Sequence, residues 1–353
     1  MNFITMPHQL EDKIYLNVLN LIFRENFLAL NQFLSKFASR KDAYDSLPQF
    51  QKRLFNPEQE WERLQKLQIR FITLKDQEYP PLLKEIAYPP LGLYLKGQAL
   101  NNDNPRILAV VGTRKMTSYG QLVIEKIVKE LANYQFIIVS GLALGVDTLS
   151  HRVTLENNGT TLAVLATGLD KIFPSSNLGL SQKITQHGTL ISEFPLGTPA
   201  IKYHFPWRNR IISGLSKAAL VIEAPEKSGA LITANFALEQ NRDVFAIPGS
   251  LFNKNSFGPN NLIKKGAKLI SDINDILEEY QIKPSSPLSS HALHFDTEIE
   301  KHIYELLESN ESLLVDKIIE KVNDKTSEVL IGLASLELKG LIKHLEGDRY
   351  SKI

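Results

Sequence analysis

Ile107-Leu-Ala-Val-Val-Gly-Thr-Arg114 places five apolar residues in unbroken succession and follows them with a glycine, a hydroxyl and an arginine. A short apolar run without alternation reads as a β-strand buried on both faces, and such strands belong to parallel sheets. Five further runs repeat the pattern: Phe136-Ile-Ile-Val139, Thr161-Leu-Ala-Val-Leu165, Leu190-Ile-Ser192, Ala219-Leu-Val-Ile222 and Val244-Phe-Ala-Ile247. Helix-length amphipathic spacers and Gly-rich turns separate them. The pattern predicts a doubly wound α/β domain over residues 106–280, Rossmann-like with a mostly parallel sheet. In that architecture the loops at the carboxyl ends of the strands share one rim.

Outside this region the grammar changes. Ile14, Val18, Leu21, Ile22, Phe33, Phe37 and Leu47 fall at helical spacing, which predicts a small helical domain over 1–75. Glu78-Tyr-Pro-Pro81 and Tyr88-Pro-Pro90 forbid a continuous helix, so 76–105 reads as an extended connector. A Pro/Ser stretch over 281–293 reads as a linker. Beyond it, helical patterns at 297–308, 312–322 and 327–338 precede a ribbon from Leu341 to Ile353 that turns at Glu346-Gly-Asp348. Residues 294–353 are therefore expected to form a winged-helix-like module. Its third helix carries no Arg or Lys and is strongly apolar, unlike a helix that reads a DNA groove. Packing or protein contact suits it better, with Thr326 or Ser327 as its cap.

Composition sets outer limits. The net charge is +1, so a polyanionic partner would have to be met by cations gathered on one face. There is no cysteine, which removes disulfides, thiolate metal sites and thiol nucleophiles. Glu11, Asp12 and Lys13 interrupt the N-terminus before a signal-peptide core develops, and no stretch reaches the roughly 18 apolar residues of a membrane helix. The expectation is a cytoplasmic protein without membrane contact.

Four loops carry the chemistry. Gly112, Thr113 and Arg114 end the first long strand, where a glycine admits a phosphate and an arginine supplies a planar fork for it. The helix starting at Ser118 would add its N–H groups, although a plain turn with a solvated arginine is the bland alternative. Ser140-Gly-Leu-Ala-Leu-Gly-Val-Asp147 ends the next strand and offers Ser140 and Gly141 to the same kind of ligand. Its glycine spacing is not that of the dinucleotide fingerprint. His151 stands one turn after Asp147, a spacing that lets the two pair, more often to fix a helix end than for acid–base work.

Lys202-Tyr-His-Phe-Pro-Trp-Arg-Asn-Arg210 is the most informative stretch. Three cations and three aromatics fall within nine positions, the combination that a single-strand groove needs. Pro206 suits a helix start, so Arg208, Asn209 and Arg210 are expected to open a helix toward a ligand. The alternative is a loop whose aromatics pack inward and whose arginines make ordinary ion pairs. Ser228-Gly229-Ala230 marks another helix start suited to an anion. No HExxH spacing, cysteine ligand or Walker A sequence is present, so no metal, catalytic residue or cofactor is expected.

These residues resemble the DprA/Smf family of DNA-processing proteins. The resemblance is carried by Gly112-Thr-Arg114, Val139-Ser-Gly-Leu-Ala-Leu-Gly-Val-Asp147 with His151, Gly168-Leu-Asp170 with Pro174, Ser192-Glu193 and Phe205-Pro206. Arg208-Asn-Arg-Ile-Ile-Ser-Gly-Leu215, Ser228-Gly-Ala-Leu-Ile-Thr-Ala234, Ala237-Leu-Glu-Gln240, Pro248-Gly-Ser250 and Gly258-Pro-Asn-Asn-Leu-Ile263 extend it to about Ile270. The resemblance implies an extended Rossmann-like domain that binds single-stranded DNA, forms a homodimer, protects incoming DNA in natural transformation, loads the RecA recombinase and helps displace single-strand-binding protein. It implies DNA contacts at Arg114, Lys202, Phe205, Arg208 and Arg210, with Gly112, Ser140, Gly141, Ser228 and Gly229 contributing backbone and hydroxyl groups.

Two positions depart from the family pattern: Trp207, which either stacks on bases or buries itself, and Ser175, where some members carry a cation. A rival reading is a nucleotide phosphoribohydrolase of the LOG or lysine-decarboxylase-like group. Its Gly-rich loop is matched poorly by Ala224-Pro-Glu-Lys-Ser-Gly-Ala-Leu-Ile-Thr233, which lacks the double glycine and the spaced glutamate.

Overall fold

The computed structural model describes residues 8–23, 26–283, 295–308, 312–345 and 347–352, in two compact units divided after Lys283. Most of the expected linker, 284–293, lies outside the described residues.

The first unit is built on a nine-stranded sheet. Its strands in chain order are β1 (Arg70–Thr73), β2 (Gly92–Gly97), β3 (Ile107–Val111), β4 (Ile137–Ser140), β5 (Thr161–Leu165), β6 (Thr189–Ser192), β7 (Ala218–Val221), β8 (Asp243–Ala246) and β9 (Lys268–Leu269). Their spatial order is β1-β2-β6-β5-β4-β3-β7-β8-β9. Strands β3 to β9 run parallel, while β2 is antiparallel to both β6 and β1. The chain winds outward from β3 through β4, β5 and β6, then returns to the other side of β3 with β7. The crevice beyond the carboxyl ends of β3 and β7 is thus the topological switch point, where ligands of open α/β sheets settle.

All six runs identified from sequence are strands of this parallel sheet. Each has both faces covered because successive side chains point to opposite sides. Ala109 and Val111 pack with Ile211, Ile212, Ala230 and Ala234, whereas Leu108 and Val110 pack with Ile124, Val128, Val146 and Leu149 on the opposite face. Part of the segment read as a connector is β2, whose Leu93-Tyr94-Leu95 is fully buried. Leu16, Leu30, Leu34 and Leu64 of the N-terminal helices pack against Ala163, Leu165 and Leu190 of the sheet, so these helices share the unit with it.

The second unit holds helices Glu298–Glu308, Val315–Val322 and Thr326–Leu338 with β10 (Leu313–Leu314), β11 (Ile342–Leu345) and β12 (Arg349–Lys352). The strands form an antiparallel sheet in the order β10-β12-β11. Ile303, Leu307, Ile318, Val329, Leu333 and Leu336 make its core. The cap of the third helix is Lys325, which makes no side-chain capping bond, rather than Thr326 or Ser327.

Candidate nucleic-acid interface

A cavity of about 660 Å³ opens at the switch point. Gly112, Thr113 and Arg114 come to it from the end of β3, Asp147 from the helix after β4, and Lys227, Ser228 and Gly229 from beyond β7. Lys202, Phe205, Arg208 and Asn209 close it from the chain that returns after β6. Four cations (Arg114, Lys202, Arg208 and Lys227) thus line it against one carboxylate, Asp147. Opposed charges in that proportion make the site anion-seeking although the chain as a whole is nearly neutral.

Close approach requires the glycine after β3. A Cβ at Gly112 would lie 2.5 Å from Cγ2 of Val146 and 2.9 Å from the Glu223 carbonyl oxygen. Arg114 projects outward from this turn, exposed, with its guanidinium 5.5 Å from the centre of the Phe205 ring. Phe205 is half-buried and meets Phe173 edge-on at 5.6 Å. Its ring is thereby fixed beside a cation, an arrangement that offers a π face and a positive charge together.

The start of the helix after Thr117 faces a carboxylate of the protein. Glu223 already occupies that end, accepting from the Thr117 backbone N–H at 2.8 Å and from its hydroxyl at 2.6 Å. The free helix start is that of Gly229–Glu239, capped by Ser228, whose Oγ accepts from the Ala230 N–H at 3.3 Å. A Cβ at Gly229 would meet nothing within 4 Å, so the backbone there is open to an approaching group.

Helix His204–Gly214 carries the informative stretch, and Pro206 falls in its first turn, where its missing N–H costs nothing. Positions two apart on a helix lie on opposite sides, so Arg208 and Arg210 do not act together. Arg208 lines the cavity while only 4% exposed, its guanidinium donating to the carbonyls of Gly141, at 2.9 Å, and Val164. Burial lowers its pKa to about 10, with Asp147 opposing and Arg114 adding to the shift, so it remains a cation at neutral pH. Arg210 faces away, 3% exposed, and its Nη2 donates to Glu193 at 2.6 Å. Its guanidinium also lies over the Trp207 ring at 4.2 Å. Reading Arg210 as a DNA contact is therefore corrected: it is half of a buried ion pair.

Ser140 and Gly141 lie beneath the cavity rather than in its wall. The Ser140 hydroxyl is buried and donates to the Val110 carbonyl at 2.7 Å. Gly141 is covered by Arg208, whose Nη2 would lie 2.7 Å from a Cβ added there. Trp207 is half-buried and held by a bond from Nε1 to Glu193 at 2.9 Å.

The suggested Asp147–His151 pair is not made. Asp147 accepts the backbone N–H groups of Gly141 and Ala143, and burial pushes its carboxyl pKa up against the pull of Arg208. The His151 Nδ1 meets the Thr161 hydroxyl at 2.7 Å. That hydroxyl donates to the Ile138 carbonyl, so His151 is the donor and carries its proton on Nδ1. Lys227 escaped the sequence reading, although it immediately precedes the helix cap Ser228. Among the described residues no group of acidic or histidine side chains could hold a metal ion, and no helix is long and apolar enough to cross a membrane.

This geometry coincides with the likeness of the chain to known proteins. The sequence model of the family described as DNA recombination-mediator protein A matches residues 70–281. The DNA processing protein DprA of Bacillus subtilis is 46% identical over 211 residues, covering 60% of this chain and 71% of that protein. Protein Smf of Escherichia coli is 40% identical over 283 residues, covering 78% and 75%. Among solved structures, DprA of Streptococcus pneumoniae superposes with a TM-score of 0.63 at 34% identity, covering 78% of this chain and 98% of that one. DprA of Helicobacter pylori, whose structure concerns its single-stranded-DNA binding mode, gives 0.55 at 31% identity, covering 60% and 96%. By sequence and fold, the chain belongs to the DNA recombination-mediator protein A family, that of DprA and Smf.

Proposed function

We propose that this protein binds single-stranded DNA in the switch-point cavity and passes it to a RecA recombinase. The observation that carries the reading is the convergence of Arg114, Lys202, Arg208 and Lys227 with the Phe205 ring on one cavity. In this reading Arg114, Lys202 and Lys227, all exposed, neutralise successive phosphates. Arg208 supplies a fixed positive charge at the floor, and the Phe205 ring takes an unpaired base. Gly112, Thr113, Asn209, Ser228 and Gly229 form the walls along which the backbone runs. A duplex would present stacked, paired bases that cannot reach Phe205, so the single strand is preferred.

The similar Helicobacter pylori protein binds single-stranded DNA, which supports the same ligand here. Protection of incoming DNA, displacement of single-strand-binding protein, RecA loading, dimer formation and a cytoplasmic location accompany this reading through the family. We assign residues 294–353 the role of a winged-helix-like module without groove-reading capacity. Ultraviolet cross-linking of an oligonucleotide containing 4-thiothymidine, followed by peptide mapping, tests the site. Adducts are expected on peptides spanning 112–115 and 202–210. Adducts confined to other surfaces would overturn it.

A further inference from the structure

A second cavity, about 410 Å³, lies on the other side of Pro206, which lines both. Its walls include Phe27, Phe194, Tyr203, His204, Trp207 and Phe236, and no Asp, Glu, Lys or Arg lines it. Phe27 and Trp207 have ring planes within 6° of parallel, with centroids 6.2 Å apart. Trp207 is fixed by its bond to Glu193 and by the Arg210 guanidinium over its ring, and Phe194 is stacked on His204 at 4.2 Å. These rings are therefore ordered before any ligand arrives, so little side-chain entropy is lost when one stacks.

We propose that this aromatic pocket receives an unpaired nucleobase of the same strand whose phosphates lie in the cationic cavity. The inference rests on that reading of the cavity. Three observations select a base over other apolar groups. The pocket adjoins the cationic cavity, since Pro206 lines both. The consecutive residues Lys202 and Tyr203 line one cavity each, so a strand crossing this segment meets a cation and then an aromatic wall. A lining free of Lys, Arg, Asp and Glu suits a base better than a phosphate, and aromatic platforms accept every base because each has a π face. The N-terminal helix Phe27–Leu34 thus becomes part of the binding surface, since it supplies Phe27.

The test compares two probes of equal length and charge on the full chain: oligo-dT and a fully abasic strand. Tyr203→Ala removes an exposed side chain and Phe27→Ala a half-buried one, so at least the first is expected to fold as the wild type does. Each variant should lose oligo-dT affinity by about 5- to 150-fold, the range for one stacked base, while abasic affinity stays at the wild-type value. Equal loss on both probes, or no loss on either, overturns the base pocket. In both of those outcomes Arg114→Ala still weakens both probes if the cationic cavity is correctly read. Failure of wild type to bind either strand removes both readings together.

Discussion

The guanidinium of Arg208 rests on Gly141, donating to its carbonyl at 2.9 Å and leaving no room for a Cβ, which would lie 2.7 Å from Nη2. One strand end and one helix are locked together by this contact, and the position of the charge at the cavity floor depends on it. Gly141→Ala should force the guanidinium off the Gly141 and Val164 carbonyls. The expected cost is about 1–3 kcal/mol of stability, as for other overpacked sites, read from urea unfolding midpoints. A variant as stable as wild type, with unchanged DNA affinity, contradicts this locking role.

Arg210 and Arg114 should separate cleanly. Arg210→Met strands the Glu193 carboxylate, which burial already pushes toward its protonated form against the pull of Arg210. Loss of about 3–5 kcal/mol of stability is expected, with the salt dependence of DNA binding unaltered in whatever protein remains folded. Arg114→Ala should do the reverse: stability within about 0.5 kcal/mol of wild type and a shallower salt slope. An Arg210 variant that keeps its stability but loses slope would restore it as a phosphate contact.

His151 gives the fold a pH dependence. Complete burial, with Arg208 nearby, depresses its pKa to about 3, while the unfolded chain protonates it near 6.5. Its contribution is therefore fully present above pH 6.5 and is lost as pH falls toward 3, because only the unfolded state gains the proton. The loss amounts to about 1.4 kcal/mol per pH unit at most. Urea midpoints at about pH 7 and about pH 5 should diverge in wild type and converge in His151→Gln. Equal divergence in both proteins would rule out His151 as the cause.

Phe205 is assigned stacking rather than charge. Phe205→Ala should cost about 1–3 kcal/mol of affinity for oligo-dT at an unchanged salt slope, by anisotropy at several ionic strengths. A changed slope would mean that the ring acts mainly by orienting Arg114, which lies over it.

Continuous apolar runs such as Ile107–Val111 declared the parallel strands because burial on both faces leaves no polar alternation to misread. The Gly-rich turns likewise marked one rim. Strand β2 escaped because Leu93-Tyr94-Leu95 is short and sits among prolines, and only pairing with β1 and β6 makes it a strand. The lure of Arg208-Asn209-Arg210 was linear proximity: helical geometry sends one arginine to the cavity and the other to Glu193, a partner 17 residues away. Ser140 and Gly141 stand where a ligand-facing loop would begin, yet Ser140 is the buried end of β4, bonded to the Val110 carbonyl, and Arg208 closes over Gly141. The aromatic pocket could not be read at all, since Phe27 and Trp207 are brought together only by tertiary packing.

Single-strand binding at the cationic cavity is best tested by fluorescence anisotropy of labelled oligo-dT across a salt series. Wild type is set beside Arg114→Ala/Lys202→Ala, with a duplex of equal length as competitor. Tight, salt-sensitive binding that favours the single strand is expected. The slope should be shallower by about 1.4 in the double variant, from roughly 0.7 for each phosphate no longer neutralised. Absent binding, equal affinity for the duplex, or a wild-type slope in the double variant would contradict the assignment of DNA to this cavity.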